Sequence, residues 1–392
     1  MPASPSTARV INDRLALELL QREGPLTAGQ LKAMTGLSRP TVADLVERLQ
    51  GTGLVTVVGE AGAERRGPNA RLYGIVADRA HLAALDVRTR SVTVVVADLL
   101  GATLARASLP IGGDTGTEPA VEQAAALLER TAARAGADRL HSVGIGAPGL
   151  IDPASGELRE TTGLPAWHRR LVTALQDRLS ARVLVENETN LAALAEQRSG
   201  GAAGDRESFA FLWLGHGVGA GLVLDGRLRR GSSGGAGEIG FLPVPGTGGT
   251  PSSVDCEGGF HSLVGSAAVC ALAERHGLPP RAHDGTSDAA QAVAEAVAGG
   301  HTAFLDELAG RLALGAAAVV SVLDPGCVVL GGEVGHAGGP ELAARVGAGL
   351  AAMSPLPTEV RPGALGGDAV LRGALLMAQE AAQDELFTGG TA

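Results

Sequence analysis

Three cysteines, Cys256, Cys270 and Cys327, are too few and too scattered along 392 residues for a disulfide framework. Cys270 and Cys327 stand in apolar runs, where a buried thiol is expected. Lysine occurs once, at Lys32, and arginine carries the rest of the positive charge; beside the excess of alanine and glycine, this reflects codon bias more than function. No apolar stretch approaches the roughly 18–20 uninterrupted residues of a membrane span, and the start MPASPSTARV lacks the charged and apolar regions of an export signal. These absences predict a cytoplasmic protein with no membrane partner. With 45% hydrophobic residues, the chain can fill the ordinary cores of two or three domains.

The net charge of −10 argues against a nucleic-acid partner only when taken over the whole chain. Residues 1–80 carry +2, and the remainder carries −12. The acidity therefore lies outside the N-terminal segment, where the helical signals are also strongest. Residues 8–21 place apolar side chains at helical spacing before Gly24-Pro25. Thr27 caps a helix over Ala28–Thr35, Gly36 turns the chain, and Ser38 caps a third helix, Arg39–Gln50, with Pro40 in its first turn. Two short strands then flank a tip holding Arg65, Arg66 and Arg71 around Gly67-Pro68-Asn69. Three helices and a hairpin match a winged helix-turn-helix. A small helical interaction domain with a hairpin fits the same pattern, but the arginine tip suits phosphates or a narrow minor groove.

Beyond residue 80 the chain alternates strand, turn and helix. Three strands fill 81–109, a helix covers about 118–135, and a buried strand ends in the glycine-rich HSVGIGAPGLID at 141–152. A helix near 169–179, the strand VLVEN and a helix over 189–196 follow. The pattern then restarts with strands across 208–224 joined to an Asp225-Gly226 turn, and closes with helices around CVVLGG at 327–332. Two similar α/β halves with a cleft between them are expected, the final helix returning to the first half.

The motifs GIGAPGLID at 144–152, ENETNLAALAE at 186–196, GHGVGAGLVLDGRLRRGSSGGAGEIG at 215–240 and VVLGGEV at 328–334 make the whole chain resemble the ROK family of repressors and sugar kinases. The resemblance implies an α/β fold: an N-terminal winged helix-turn-helix followed by a two-lobed actin-like (ribonuclease H-like) core. It divides the chain into a DNA-binding domain at 1–75, a first core lobe at 80–197 with the helix 368–384, and a second lobe at 198–367.

Three departures from the family's kinases predict no catalytic residues and no enzyme. The phosphate turn, AspXaaGlyGlyThr in those kinases, is Asp86-Val87-Arg88-Thr89-Arg90, whose side chains hinder close backbone approach, although arginines could bind phosphate themselves. The position of the base carries Glu188 after Asn187 in place of aspartate, and His216 replaces a hydroxyl residue. By the same resemblance Gly163, Asn187, Glu188, Glu238 and His261 are the candidate effector contacts. Of the four family zinc ligands only Cys256 and His261 remain; by the resemblance Phe241 stands at the histidine, Val254 at the first cysteine and Leu263 at the glutamate after the third. Apolar repacking around these residues and Phe260, without metal or other cofactor, is expected.

The resulting expectation is a repressor that binds double-stranded operator DNA as a homodimer or tetramer and responds to a sugar or sugar-derived effector. Thr27, Ser38, Arg39 and Thr41 would face the duplex, with Arg65, Arg66 and Arg71 on backbone or minor groove. The alternatives are an ATP-dependent sugar kinase with a fused head and a ligand-independent DNA-binding regulator.

Overall fold

The protein is described here by a computed structural model covering residues 5–61, 70–159, 165–253, 257–278 and 287–387. Its first elements are α1 (Pro5–Glu23), the short β1 (Leu26–Thr27), α2 (Ala28–Thr35), α3 (Arg39–Gly51), β2 (Val55–Ala61) and β3 (Ala70–Ile75). The Thr27 hydroxyl accepts from the Gln30 amide while the Gln30 side chain accepts from the Thr27 amide, a reciprocal cap that sets the first turn of α2. Gly36, at φ +71°, ends α2, and Ser38 accepts from the Thr41 amide to begin α3. Val42, Leu45, Val46 and Leu49 line the buried face of α3 and pack with Leu17, Leu20 and Leu31. The strand order β1-β3-β2, antiparallel throughout, completes a winged helix-turn-helix.

The first core lobe follows as β4 (His81–Arg88), β5 (Ser91–Asp98), β6 (Thr103–Pro110), α4 (Thr117–Arg134), β7 (Leu140–Ala147), α5 (Trp167–Arg178), β8 (Arg182–Asn187) and α6 (Glu188–Arg198). The second holds β9 (Phe209–Leu214), β10 (Val218–Leu224), β11 (Arg227–Leu228), α7 (His261–Val264), α8 (Ser266–Arg275), α9 (Asp288–Gly299) and α10 (Thr302–Leu323). It is completed by β12 (Cys327–Gly331), α11 (Gly332–Met353, broken at Gly339-Pro340) and β13 (Glu359–Pro362), and α12 (Ala369–Phe387) ends the chain. The sheets run β6-β5-β4-β7-β8 and β11-β10-β9-β12-β13. In each, three antiparallel strands are followed by two parallel ones, so the lobes repeat a single ribonuclease H-like topology. Ligands of such sheets lie beyond the carboxyl ends of the parallel strands, here at Arg88, Ala147 and Asn187 on one lobe and Leu214 and Gly331 on the other.

The helix α12 returns to the first lobe and packs on α6, β7 and β4. It comes close because Gly144 lacks a side chain; a Cβ there would overlap the Ala374 carbonyl. The Ser142 hydroxyl donates to the Ala378 carbonyl at 2.7 Å and the Gln379 amide to the Leu99 carbonyl at 3.0 Å, so these two buried polar groups of the seam are satisfied. No helix among the described residues is long and apolar enough to cross a membrane.

Candidate functional site

On the head, the structure places Ser38 and Arg39 at the exposed start of α3. The Ser38 hydroxyl bonds that of Thr41 at 2.7 Å, and Thr27 is engaged by Gln30, so these residues build the helix starts as well as facing outward. Arg39 and Arg71 have no ion-pair partner among the described residues, whereas Arg48 is tied to Asp13 and Arg14 to Glu18 and Asp384. Asp44 and Glu47 are also exposed on α3 and confine its positive potential to the start of the helix. Arg65 and Arg66 lie outside the described residues.

In the core, Asn187 caps α6: its side-chain oxygen accepts from the Thr189 amide at 2.8 Å and the Asn190 amide at 3.4 Å, and its Nδ2 donates to the Gly149 carbonyl at 2.9 Å. The candidate ligand contact is therefore also a structural cap, and one side-chain N–H remains. α6 begins at Glu188, one residue before the expected start, which puts this carboxyl in the first helical turn. Gly237, at φ +91°, lies against β10, where its carbonyl accepts from the Ala220 amide at 2.7 Å. This contact projects Glu238 from the rim, and its surroundings raise its pKa through burial although the residue keeps an open face. Gly219, beside Gly237, packs against Thr189, so the start of α6 and the Gly237-Glu238 segment share one side of the cleft.

His261 begins α7, and its pKa is lowered by burial and then by His216, which lies nearby in an exposed loop. Phe260 and Leu263 are buried in the second-lobe core, and Phe241 is half-buried. Cys327 is buried and Cys270 only half-buried, a correction to the expectation that both are enclosed. Among the described residues no group of three or more His, Cys, Asp and Glu side chains could hold a metal ion. Val254, Cys256 and Gly163 lie outside the described residues.

The strongest electrostatic feature joins the candidate Glu188 to the Asp86–Arg88 turn and to Glu333, for which the sequence suggested no such contact. Arg88 donates through Nε to Asp86 at 2.9 Å and through a terminal nitrogen to Glu333 at 2.9 Å, joining the first lobe to the start of α11 in the second. Glu188 completes the cluster, its pKa pushed up to about 8 by burial and by Asp86, with Arg88 opposing and Glu333 adding. Burial likewise raises Asp86, which is 4% exposed. A second ion pair runs the other way between the lobes, from Arg230 to Glu186 at 2.5 Å, with Asn190 donating to the same carboxylate at 3.0 Å. The arginines in the phosphate turn were a usable signal in the sequence; their partners were not, because 245 residues separate Arg88 from Glu333.

A winged helix-turn-helix joined to a two-lobed actin-like core, with the ends of both sheets facing one cleft, defines the class. The chain belongs to the ROK family, whose profile matches residues 82–381, and the MarR family profile matches residues 12–66. A glucokinase of Halalkalibacterium halodurans is 28% identical over 216 residues, 51% of this chain and 63% of its own, so the chain spans under two thirds of that relative's length. A putative xylose repressor of Caldicellulosiruptor sp. (strain Rt8B.4) is 23% identical over 340 residues, covering 84% of each chain. Among solved structures, a ROK family transcriptional regulator, a homolog of the E. coli MLC protein, superposes with a TM-score of 0.76 at 20% identity, covering 97% of this chain and 98% of its own. That likeness extends through the head.

Proposed function

We propose that this ROK protein is a transcriptional repressor, acting in the cytoplasm as a homodimer whose two winged helices grip a roughly palindromic operator. A sugar or sugar-derived effector would bind between the lobes and change the spacing of the heads. In this reading the DNA-binding domain is 1–75, the first lobe 80–197 with 368–384, and the second lobe 198–367. The carrying observation is that Arg39 and Arg71 on the head lack acidic partners among the described residues, while the cleft arginines Arg88 and Arg230 are neutralised within the protein. Unpaired cations on a thin surface are what phosphate neutralisation needs.

The core would bind without phosphorylating. Arg88 and its two carboxylates fill the turn where the family's kinases offer bare amides to phosphate. Glu188, at the position of the family's base, is one methylene longer than aspartate, which displaces its carboxyl from the geometry that proton transfer needs. The test is fluorescence anisotropy on the DNA upstream of the chain's own coding region across a salt series. Arg39→Ala with Arg71→Ala should lower affinity at least tenfold and reduce the salt slope by about 4, for two arginines on each of the two heads. Unchanged, salt-sensitive binding would sink the assigned DNA face. The kinase reading makes the opposite prediction for the core: ADP release with some sugar, abolished by Glu188→Gln.

A further inference from the structure

Phosphate esters are recognised by cationic donors whose N–H groups remain available, most often an arginine fork. In this cleft the Arg88 fork is already engaged by two carboxylates of the protein, and Arg230 is engaged through Nε alone. Arg88 offers Nε to Asp86 and a terminal nitrogen to Glu333, and Arg230 offers Nε to Glu186. Glu188 and Glu238 add two more carboxyl groups to the same walls, so acids outnumber the engaged arginines even with Glu188 protonated. Arg90 is exposed at the tip of the same turn.

The placement of these groups matters as much as their number. Glu188 stands at the start of α6 next to Asn187, so a ligand seated on that helix start meets the Asp86–Arg88–Glu333 cluster at once. A hydroxyl can donate to such carboxylates, and an ammonium gains Coulomb attraction besides. A phosphate dianion placed there would face the Asp86 and Glu333 carboxylates, with Arg88 already claimed by both.

Resting on the reading of an effector between the lobes, we propose that the cleft takes an uncharged or amine-bearing sugar and rejects phosphate esters, with Glu333 setting that choice by holding Arg88. Asp86 is buried and anchors the guanidinium, whereas Glu333 is about one third exposed and is the partner that an incoming anion would have to displace.

Isothermal titration calorimetry on the full chain tests this with glucose, glucosamine, their 6-phosphates and inorganic pyrophosphate. The wild type should bind at least one unphosphorylated sugar tenfold or more tighter than its 6-phosphate, and should bind pyrophosphate only weakly. Glu333→Gln preserves shape and should gain at least tenfold in pyrophosphate affinity, a gain that Arg88→Met in the same chain removes. Unfolding midpoints measured alongside confirm that each variant is folded. A wild type that binds pyrophosphate as tightly as Glu333→Gln, or a 6-phosphate as tightly as its parent sugar, would overturn the proposal. If no sugar of either kind binds while pyrophosphate still separates the variants, the effector reading fails and the role of Glu333 stands.

Discussion

Arg14 of α1 and Asp384 of α12 form an ion pair at 2.8 Å, joining the DNA-binding head to the last helix of the core. Both side chains are 45% or more exposed, so the pair itself adds little, about 0–1 kcal/mol. The strength of the junction is apolar. Phe387, Ala378 and Ala382 of α12 share one buried cluster with Leu17 and Leu20 of α1, Leu82 of β4 and Leu99. Head and first lobe thus have a common core, which gives motion in the core a rigid route to the DNA-binding helices. Phe387→Ala should cost about 3 kcal/mol in urea unfolding and weaken operator binding, whereas Arg14→Ala should change stability by less than about 1 kcal/mol. Equal effects of the two would show that the seam is electrostatic.

The connections between the lobes meet at another buried group. Glu196 on α6 is 1% exposed and accepts from the amides of Ala202, Ala364 and Leu365, at 2.6, 3.2 and 3.0 Å. One carboxylate thus holds both chain crossings at the base of the cleft. Glu196→Ala leaves buried amides without acceptors and should destabilise by about 2–4 kcal/mol, with Glu196→Gln between it and wild type because one oxygen remains. Limited proteolysis should cut the alanine variant first near 199–206. Cleavage elsewhere with this segment still protected would count against a shared anchor.

Gly237 fixes the rim of the cleft. Its φ of +91° is costly for any residue with a side chain, and a Cβ there would overlap the Ala220 carbonyl. Gly237→Ala should therefore cost about 2–4 kcal/mol and displace the neighbouring Glu238, measured as lost stability together with lost sugar response. A variant as stable as wild type would mean that the segment adapts.

Much of the fold was legible because local chemistry and tertiary structure agree. Thr27, Gly36, Ser38 and Pro40 mark helix ends that the packing then uses, and the apolar β4 and valine-rich β5 read directly as strands. β13 escaped because four residues ending in Pro362 carry little strand signal; the strand forms at a sheet edge by pairing with β12, distant in sequence. Two further features had no local signature. His168, at the start of α5, is buried with neither ring nitrogen hydrogen-bonded to a neighbour among the described residues, and nothing in the adjacent sequence signals that burial. The interlobe pairs Arg88–Glu333 and Glu186–Arg230 arise only when the two sheets face each other. Asn187 is a candidate effector contact by resemblance alone, and its capping role becomes visible only with the start of α6 at Glu188.

The raised pKa of Glu188 makes a claim about stability whose sign can be worked out. In the unfolded chain this carboxyl titrates near its ordinary value of about 4.3, and in the folded protein near about 8. Between those values the folded state keeps a proton that the unfolded state has released, so stability falls as pH rises from about 4.3 to 8 and levels off above. Burial is the main cause, and removing the titratable group while keeping its shape should remove the dependence. Glu188→Gln should match the wild type within about 1 kcal/mol near pH 5 and exceed it by roughly 2–4 kcal/mol at pH 9. Asp86 shifts in the same direction, so the wild-type profile contains both groups and only the difference between the chains isolates Glu188. Urea unfolding at pH 5, 7 and 9 measures that difference directly. A difference that stays flat across the series would place the Glu188 carboxylate in contact with solvent, ionised throughout.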